Sequence, residues 1–96
     1  MNALNNPITL DTLMTEVNRN VSATVEVSFK VCFSGCIIDY KSLNISIEDM
    51  SILFKDNSSP HTHDLKIDIT SILFIQSFGN YEYKIDTSDC EIKISL

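Results

Sequence analysis

The chain has 96 residues, 44% of them apolar, and a net charge of −6, which fits one folded domain and excludes two separate cores or a disordered chain. Its longest continuous apolar run is Ile72-Leu73-Phe74-Ile75, far short of the ~18 residues a helix needs to cross a bilayer. The seven basic residues are scattered singly among thirteen acids and form no stripe for phosphates, so direct nucleic-acid binding is disfavoured and a basic protein partner suits the charge better.

Residues 1–8 read as a frayed N-terminus, and residues 9–96 as a single β-rich domain with an N-terminal helix. Leu10, Leu13, Met14, Val17 and Val21 recur with the spacing of one helical face. They predict a helix over Thr9–Asn18, with Thr9 as N-cap, Asp11 in the first turn and Asn20 at the exit. Then Val21, Ala23, Val25, Val27, Phe29, Val31 and Phe33 occupy every second position, with polar residues and Cys32 between them. This period of two predicts one strand, half buried and long enough to bend, ended by Ser34-Gly35.

A second alternating run holds Ile38, Tyr40, Leu43, Ile45 and Ile47, and its change of parity predicts a bulge or kink at Lys41-Ser42. Glu48-Asp49 is a turn, followed by a third strand through Met50, Ile52 and Phe54. Residues 57–64 read as a polar loop. Leu65, Ile67 and Ile69 alternate again, Thr70-Ser71 marks a kink, and Ile72–Ile75 reads as a more fully buried stretch. Phe78-Gly79-Asn80 turns the chain into the last two strands.

Charge logic predicts the pairing of those strands. Ile85 opposite Cys90 sets Lys84 against Glu91 and Glu82 against Lys93, leaving a loop at Asp86–Asp89. Slipping by two residues opposes Lys84 to Lys93 and Asp86 to Glu91. The expected fold is therefore mainly β with one N-terminal helix, built as a small antiparallel SH3-like or Sm-like barrel or as a curved sheet.

The alternating strand from Val25, Gly35, the pair Asp39-Tyr40 and the element Leu43-Asn44-Ile45 resemble the first half of Sm-like proteins. The resemblance covers residues 25–49, about a quarter of the chain. It implies a ring-forming barrel that binds short RNA or a nucleotide, with Tyr40 and Asn44 as the base contacts.

Other residues invite chemical readings. His61 and His63, one residue apart beside Asp64, are weak candidates for metal ligands, because no third and fourth ligand stand at a recognisable spacing. A polar exposed loop explains them better than a metal site does, and no cofactor is expected. Cys32 and Cys36 straddle a turn without the tighter spacing and helix N-terminus of a redox pair. Cys90 reads as core, and Cys32, on the polar face, as the more reactive thiol. The odd cysteine count and a Met1–Pro7 segment without a leader pattern point to reduced thiols in the cytoplasm.

Glu48, Asp49, Asp86 and Asp89 read as solvated turn acids and as the carboxylates a basic partner would meet, with Phe78 as the aromatic most open to it. Residues 48–96 hold nine acids and four bases, against four and three in residues 1–47. The chain thus reads as a non-catalytic acidic interaction domain, self-associating or inhibiting a basic nucleic-acid-binding partner. The alternative is the Sm-like oligomer that binds RNA or a nucleotide.

Overall fold

A computed structural model describes residues 6–19, 21–32, 34–58 and 65–96. Helix α1 spans Leu10–Val17, within the expected window. Thr9 caps it, accepting the Thr12 N–H at 3.1 Å. Eight residues are too few to hold a helix in water, so packing must supply the stability. Leu13 and Val17, one turn apart, are fully buried, which contributes on the order of 2 kcal/mol each. Asn18 ends the helix and its side chain crosses to a strand. Nδ2 donates to the Ile45 carbonyl at 2.8 Å, and Oδ1 accepts the Ile45 N–H at 2.7 Å.

The strands are β1 (Asn6–Pro7), β2 (Ala23–Phe29), β3 (Gly35–Tyr40), β4 (Leu43–Glu48), β5 (Ser51–Asp56), β6 (Leu65–Asp68), β7 (Ile72–Gly79), β8 (Glu82–Thr87) and β9 (Cys90–Ser95). They form two antiparallel sheets, in the orders β1-β7-β8-β9-β2-β3 and β4-β5-β6. The mainly β fold with one helix is thus as expected, but the sheets stay open and do not close into a barrel. Residues 6–8, expected to fray, are tied down: β1 pairs with β7, and the Ile8 N–H donates to the Ile75 carbonyl. One core joins Val25, Ile85, Ile92 and Ile94 of the larger sheet to Leu43, Ile45, Ile52 and Phe54 of the smaller, with Leu13 and Val17 beside them.

The alternation from Val21 outruns its strand. The Phe29 N–H closes the β2–β3 hairpin onto the Ser34 carbonyl at 2.8 Å, so the turn begins at Lys30, and Val31 is 84% exposed. The parity change at Lys41-Ser42 is a passage from one sheet to the other, where a bulge within one strand was expected. Both N–H groups at that passage donate to Asp56, at 2.8 and 3.1 Å. The Ser58 N–H and hydroxyl donate to the same carboxylate, which is buried.

Three further expectations change. Met50 belongs to the β4–β5 turn rather than to a strand, since Asp49 and Met50 both take left-handed backbone (φ 50° and 62°). Ile72–Ile75 is largely open: Leu73 bulges between the paired residues Ile72 and Phe74 and is 60% exposed. Among the described residues, β7 has only the two-residue β1 beside it on its outer side.

The β8–β9 register is the slipped one, with Ile85 opposite Ile92, Lys84 opposite Lys93 and Asp86 opposite Glu91. Both registers bury the same faces, so the turn decides. Thr87, buried, accepts the Asp89 and Cys90 N–H groups and donates to the Cys90 carbonyl. Each such bond is worth about 1 kcal/mol, against ~0.2–1 kcal/mol for an opposed charge pair. The opposed charges also find other partners. Lys30 Nζ sits 2.9 Å from Asp86, and Lys84 Nζ reaches Glu91 diagonally at 3.8 Å.

Hydrogen bonding holds the Asp56 carboxyl down to about 2, from an ordinary 3.8, with the Lys41 N–H the largest cause and the Ser58 hydroxyl next. A depressed folded value means stability that is complete above the unfolded value and lost as pH falls toward about 2. Asp56→Asn should therefore melt well below the parent at pH 7, with the gap closing between about pH 4 and 2. A gap independent of pH would show that charge on Asp56 is irrelevant. Asn18→Ala should cost about 1–2 kcal/mol in urea denaturation, because it strips both Ile45 backbone groups.

Candidate functional site

A line of backbone hydrogen bonds builds one rim of the molecule. The Ile69 N–H donates to the Met50 carbonyl, tying the 3-10 turn at Ile69–Ser71 to the β4–β5 turn. The Ser88 N–H donates to the Ser71 carbonyl, and the Lys30 N–H to the Asp89 carbonyl, each at 2.9 Å. Four turns distant in sequence are thus locked side by side. They carry exposed Asp49 and Asp89, and exposed Glu48 and Asp68 end the strands that lead into them. Met50, 63% exposed, adds an apolar contact between them.

Asp68 was not singled out in the sequence. Its side chain accepts the Thr70 N–H and hydroxyl, and these bonds hold its carboxyl below the ordinary range. The signal that marks it is the Asp-x-Thr spacing of an Asx-type turn. Asp86 departs from expectation. It is buried and ion-paired with Lys30, whose Nζ also donates to the Thr87 carbonyl at 2.6 Å, so it is a structural group rather than an exposed turn acid. Among the described residues the ion pairs are Lys30–Asp86 and Lys84–Glu91, and none of the four rim acids belongs to either. Lys66, exposed, lines the same groove as Asp68 and Asp89 and offsets part of the charge.

The remaining candidates lie elsewhere. Phe78 is half-buried on the outer face of the larger sheet, where Lys84 Nζ stands 5.8 Å from the Phe74 ring and 5.9 Å from the Phe78 ring. It flanks a shallow furrow with Glu26, Glu82, Lys93 and Ser95, away from the rim turns. Tyr40 is 2% exposed in the core and offers no ring face to a base, and Asn44 is half-buried on β4. The resemblance gave both as base contacts, and the structure places them on either side of the passage between sheets. His61 and His63 lie outside the described residues. Among the described residues no group of three metal-ligating side chains gathers, and no helix is long and apolar enough to cross a membrane.

Two titrating groups stand out. Tyr83 is buried, and its hydroxyl donates to Glu16 of α1. Burial first, then that hydrogen bond, push its pKa up to about 12. The bond ties helix to sheet. Cys32 is exposed, with Sγ 3.0 Å from Ser34 Oγ, and hydrogen bonds from the Ser34 side chain and then its backbone hold the thiol below its ordinary range. Cys36 is exposed and Cys90 buried, the latter as expected.

Compared with models of protein families, with curated proteins and with solved structures, the chain matches none.

Alkylation by iodoacetamide followed by mass spectrometry should modify Cys32 first and Cys90 last in the folded chain. Ser34→Ala should slow Cys32 several-fold at pH 7 while leaving Cys36 unchanged. Equal rates at Cys32 and Cys36 in both proteins would show that the serine does not activate the thiol.

Proposed function

We propose that the chain is a non-catalytic, acidic protein-interaction domain whose rim of turns docks on a basic protein surface. The observation that carries this reading is the hydrogen-bonded alignment of four turns, which presents Glu48, Asp49, Asp68 and Asp89 together around exposed Met50. Carboxylates held on short, bonded turns lose little freedom on binding, so more of their attraction for a cation is realised as affinity. A partner that normally grips nucleic acid presents Lys and Arg in such an arrangement, and the rim would compete for that groove as an inhibitor. The cytoplasm, where reduced thiols persist, is the compartment that belongs to this proposal.

The second reading, an Sm-like oligomer that binds RNA or a nucleotide, relied on Tyr40 and Asn44. A buried Tyr40 lends it no support, and the acidic rim repels phosphate.

The test separates placed charge from total charge. Titrated at moderate salt against a Lys/Arg-rich peptide, Asp49→Asn/Asp68→Asn/Asp89→Asn should bind about 3- to 150-fold more weakly than the parent, as expected for three pairs of ~0.2–1 kcal/mol each. The control set Asp11→Asn/Glu26→Gln/Glu82→Gln removes the same charge elsewhere and should bind nearly as the parent does. Equal losses in both sets would reduce the effect to net charge and end the rim proposal.

A further inference from the structure

Strand β3 ends the larger sheet, and among the described residues nothing pairs with its outer edge. The Phe29 N–H to Ser34 carbonyl bond makes those two residues a hydrogen-bonded pair. Alternation then directs the backbone groups of Cys36, Ile38 and Tyr40 toward β2 and those of Gly35, Ile37 and Asp39 away from the sheet. The Lys30 N–H to Asp89 carbonyl bond on the other side of β2 agrees with this phase. No described residue bonds the outward groups of Gly35, Ile37 or Asp39. Edges are ordinarily blunted by lysine, proline, an inward charge or a covering loop. Here Ser34-Gly35-Cys36-Ile37-Ile38 carries no charge and no proline, and Ile37 is 66% exposed.

The edge is complementary to itself. Two copies related by a two-fold axis through Ile37 would pair Ile37 with Ile37 and Gly35 with Asp39 twice. This register engages all three outward residues of each strand in hydrogen-bonded pairs. On the outer face, isoleucine meets isoleucine and each Asp39 lies opposite a glycine. On the inner face, Cys36 meets Ile38 of the second copy. The two Asp39 carboxylates stand four residues apart along the strands, about 13 Å, beyond the ~8 Å Debye length at physiological salt.

Centring the axis on Cys36 or on Ile38 engages only two of the three outward residues of β3 in each copy. The Ile38-centred register also opposes Ile37 to Asp39. Gly35 is itself obligatory, because a Cβ there would lie 2.2 Å from the Val27 carbonyl oxygen. The position facing Asp39 is therefore held without a side chain by the monomer's own packing.

We propose that β3 pairs antiparallel with β3 of a second copy of this chain, centred on Ile37, so that one continuous sheet runs through a symmetric dimer. The proposal goes beyond the reading of the acidic rim and does not depend on it, since it concerns a different surface and a different partner.

Light scattering on a sizing column at about 100 µM should give twice the 10.8 kDa chain mass. Ile37→Lys should give the single mass, with an unchanged circular dichroism spectrum and melting curve at low concentration. In a background of Cys32→Ser and Cys36→Ser, Ile37→Cys should form a disulfide-linked dimer under mild oxidation, because residues of a hydrogen-bonded antiparallel pair have Cα atoms about 5.5 Å apart, within disulfide reach. Leu73→Cys in the same background, similarly exposed, should stay uncrosslinked. A parent monomer at 100 µM, a larger ring, a dimer that survives Ile37→Lys, or equal crosslinking at 37 and 73 would each overturn the proposal. Neutralising the rim acids leaves the dimer mass unchanged, so the two readings fail separately.

Discussion

The architecture turns on one carboxylate. Between Tyr40 and Leu43 the chain leaves the larger sheet and enters the smaller, and at that passage the Lys41 and Ser42 N–H groups have no ladder to join. Asp56, at the end of β5, takes both and also binds Ser58. Because Asp56 pairs with Leu43 across the β4–β5 hairpin, the group that pins the crossing belongs to the sheet being entered. The passage sets the angle at which Leu43 and Ile45 meet Val25 and the β8–β9 isoleucines. Both donors are partly buried, and without a partner each would cost on the order of 1 kcal/mol, so a crossing this short would be hard to hold. Four bonds on one anion also explain why a buried aspartate stays charged.

How far the sequence speaks depends on the range of the interaction. Thr9, Leu13 and Val17 act within one or two turns, and the helix they form matches its pattern. The β2 alternation is legible for the same reason, since side chains two apart share a face whatever they pack against. What the pattern cannot show is where a strand stops. Val31 continues the rhythm, yet the hairpin has already closed at Phe29 and Ser34. The β8–β9 register shows a different limit. Opposed charges favoured one alignment, but Lys30, 56 residues before Asp86, neutralises the misfit of the other, and Thr87 builds the tighter turn. One side chain from outside the hairpin and one at its own turn decide the register together.

The candidate site divides along the same line. Asp49 and Asp89 are turn acids by composition and sit in turns, whereas Glu48 is the last residue of β4, paired with Ser51. Asp86, three residues from Asp89, becomes a buried ion-pair partner because the turn is two residues shorter than charge pairing implied. Nothing local announced that the four turns would align, since the three bonds that align them join backbone groups from distant segments. Asn18 likewise carries no mark in the sequence of its bond to Ile45, 27 residues away.

That bond has a consequence for the life of the molecule. β4 is the margin of the smaller sheet, and Leu43–Glu48, with three β-prone apolar residues, one charge and neither proline nor glycine, has the composition of an aggregation-prone segment. The asparagine amide occupies the Ile45 backbone groups that an incoming strand would seek, as a bolt fills its socket. An eight-residue helix is readily lost to proteases or heat, and with it goes the bolt. Clipping α1 would thus bare the Ile45 edge of β4 at the same time as it strips Leu13 and Val17 from the core, so the helix shields a strand edge as well as contributing to folding.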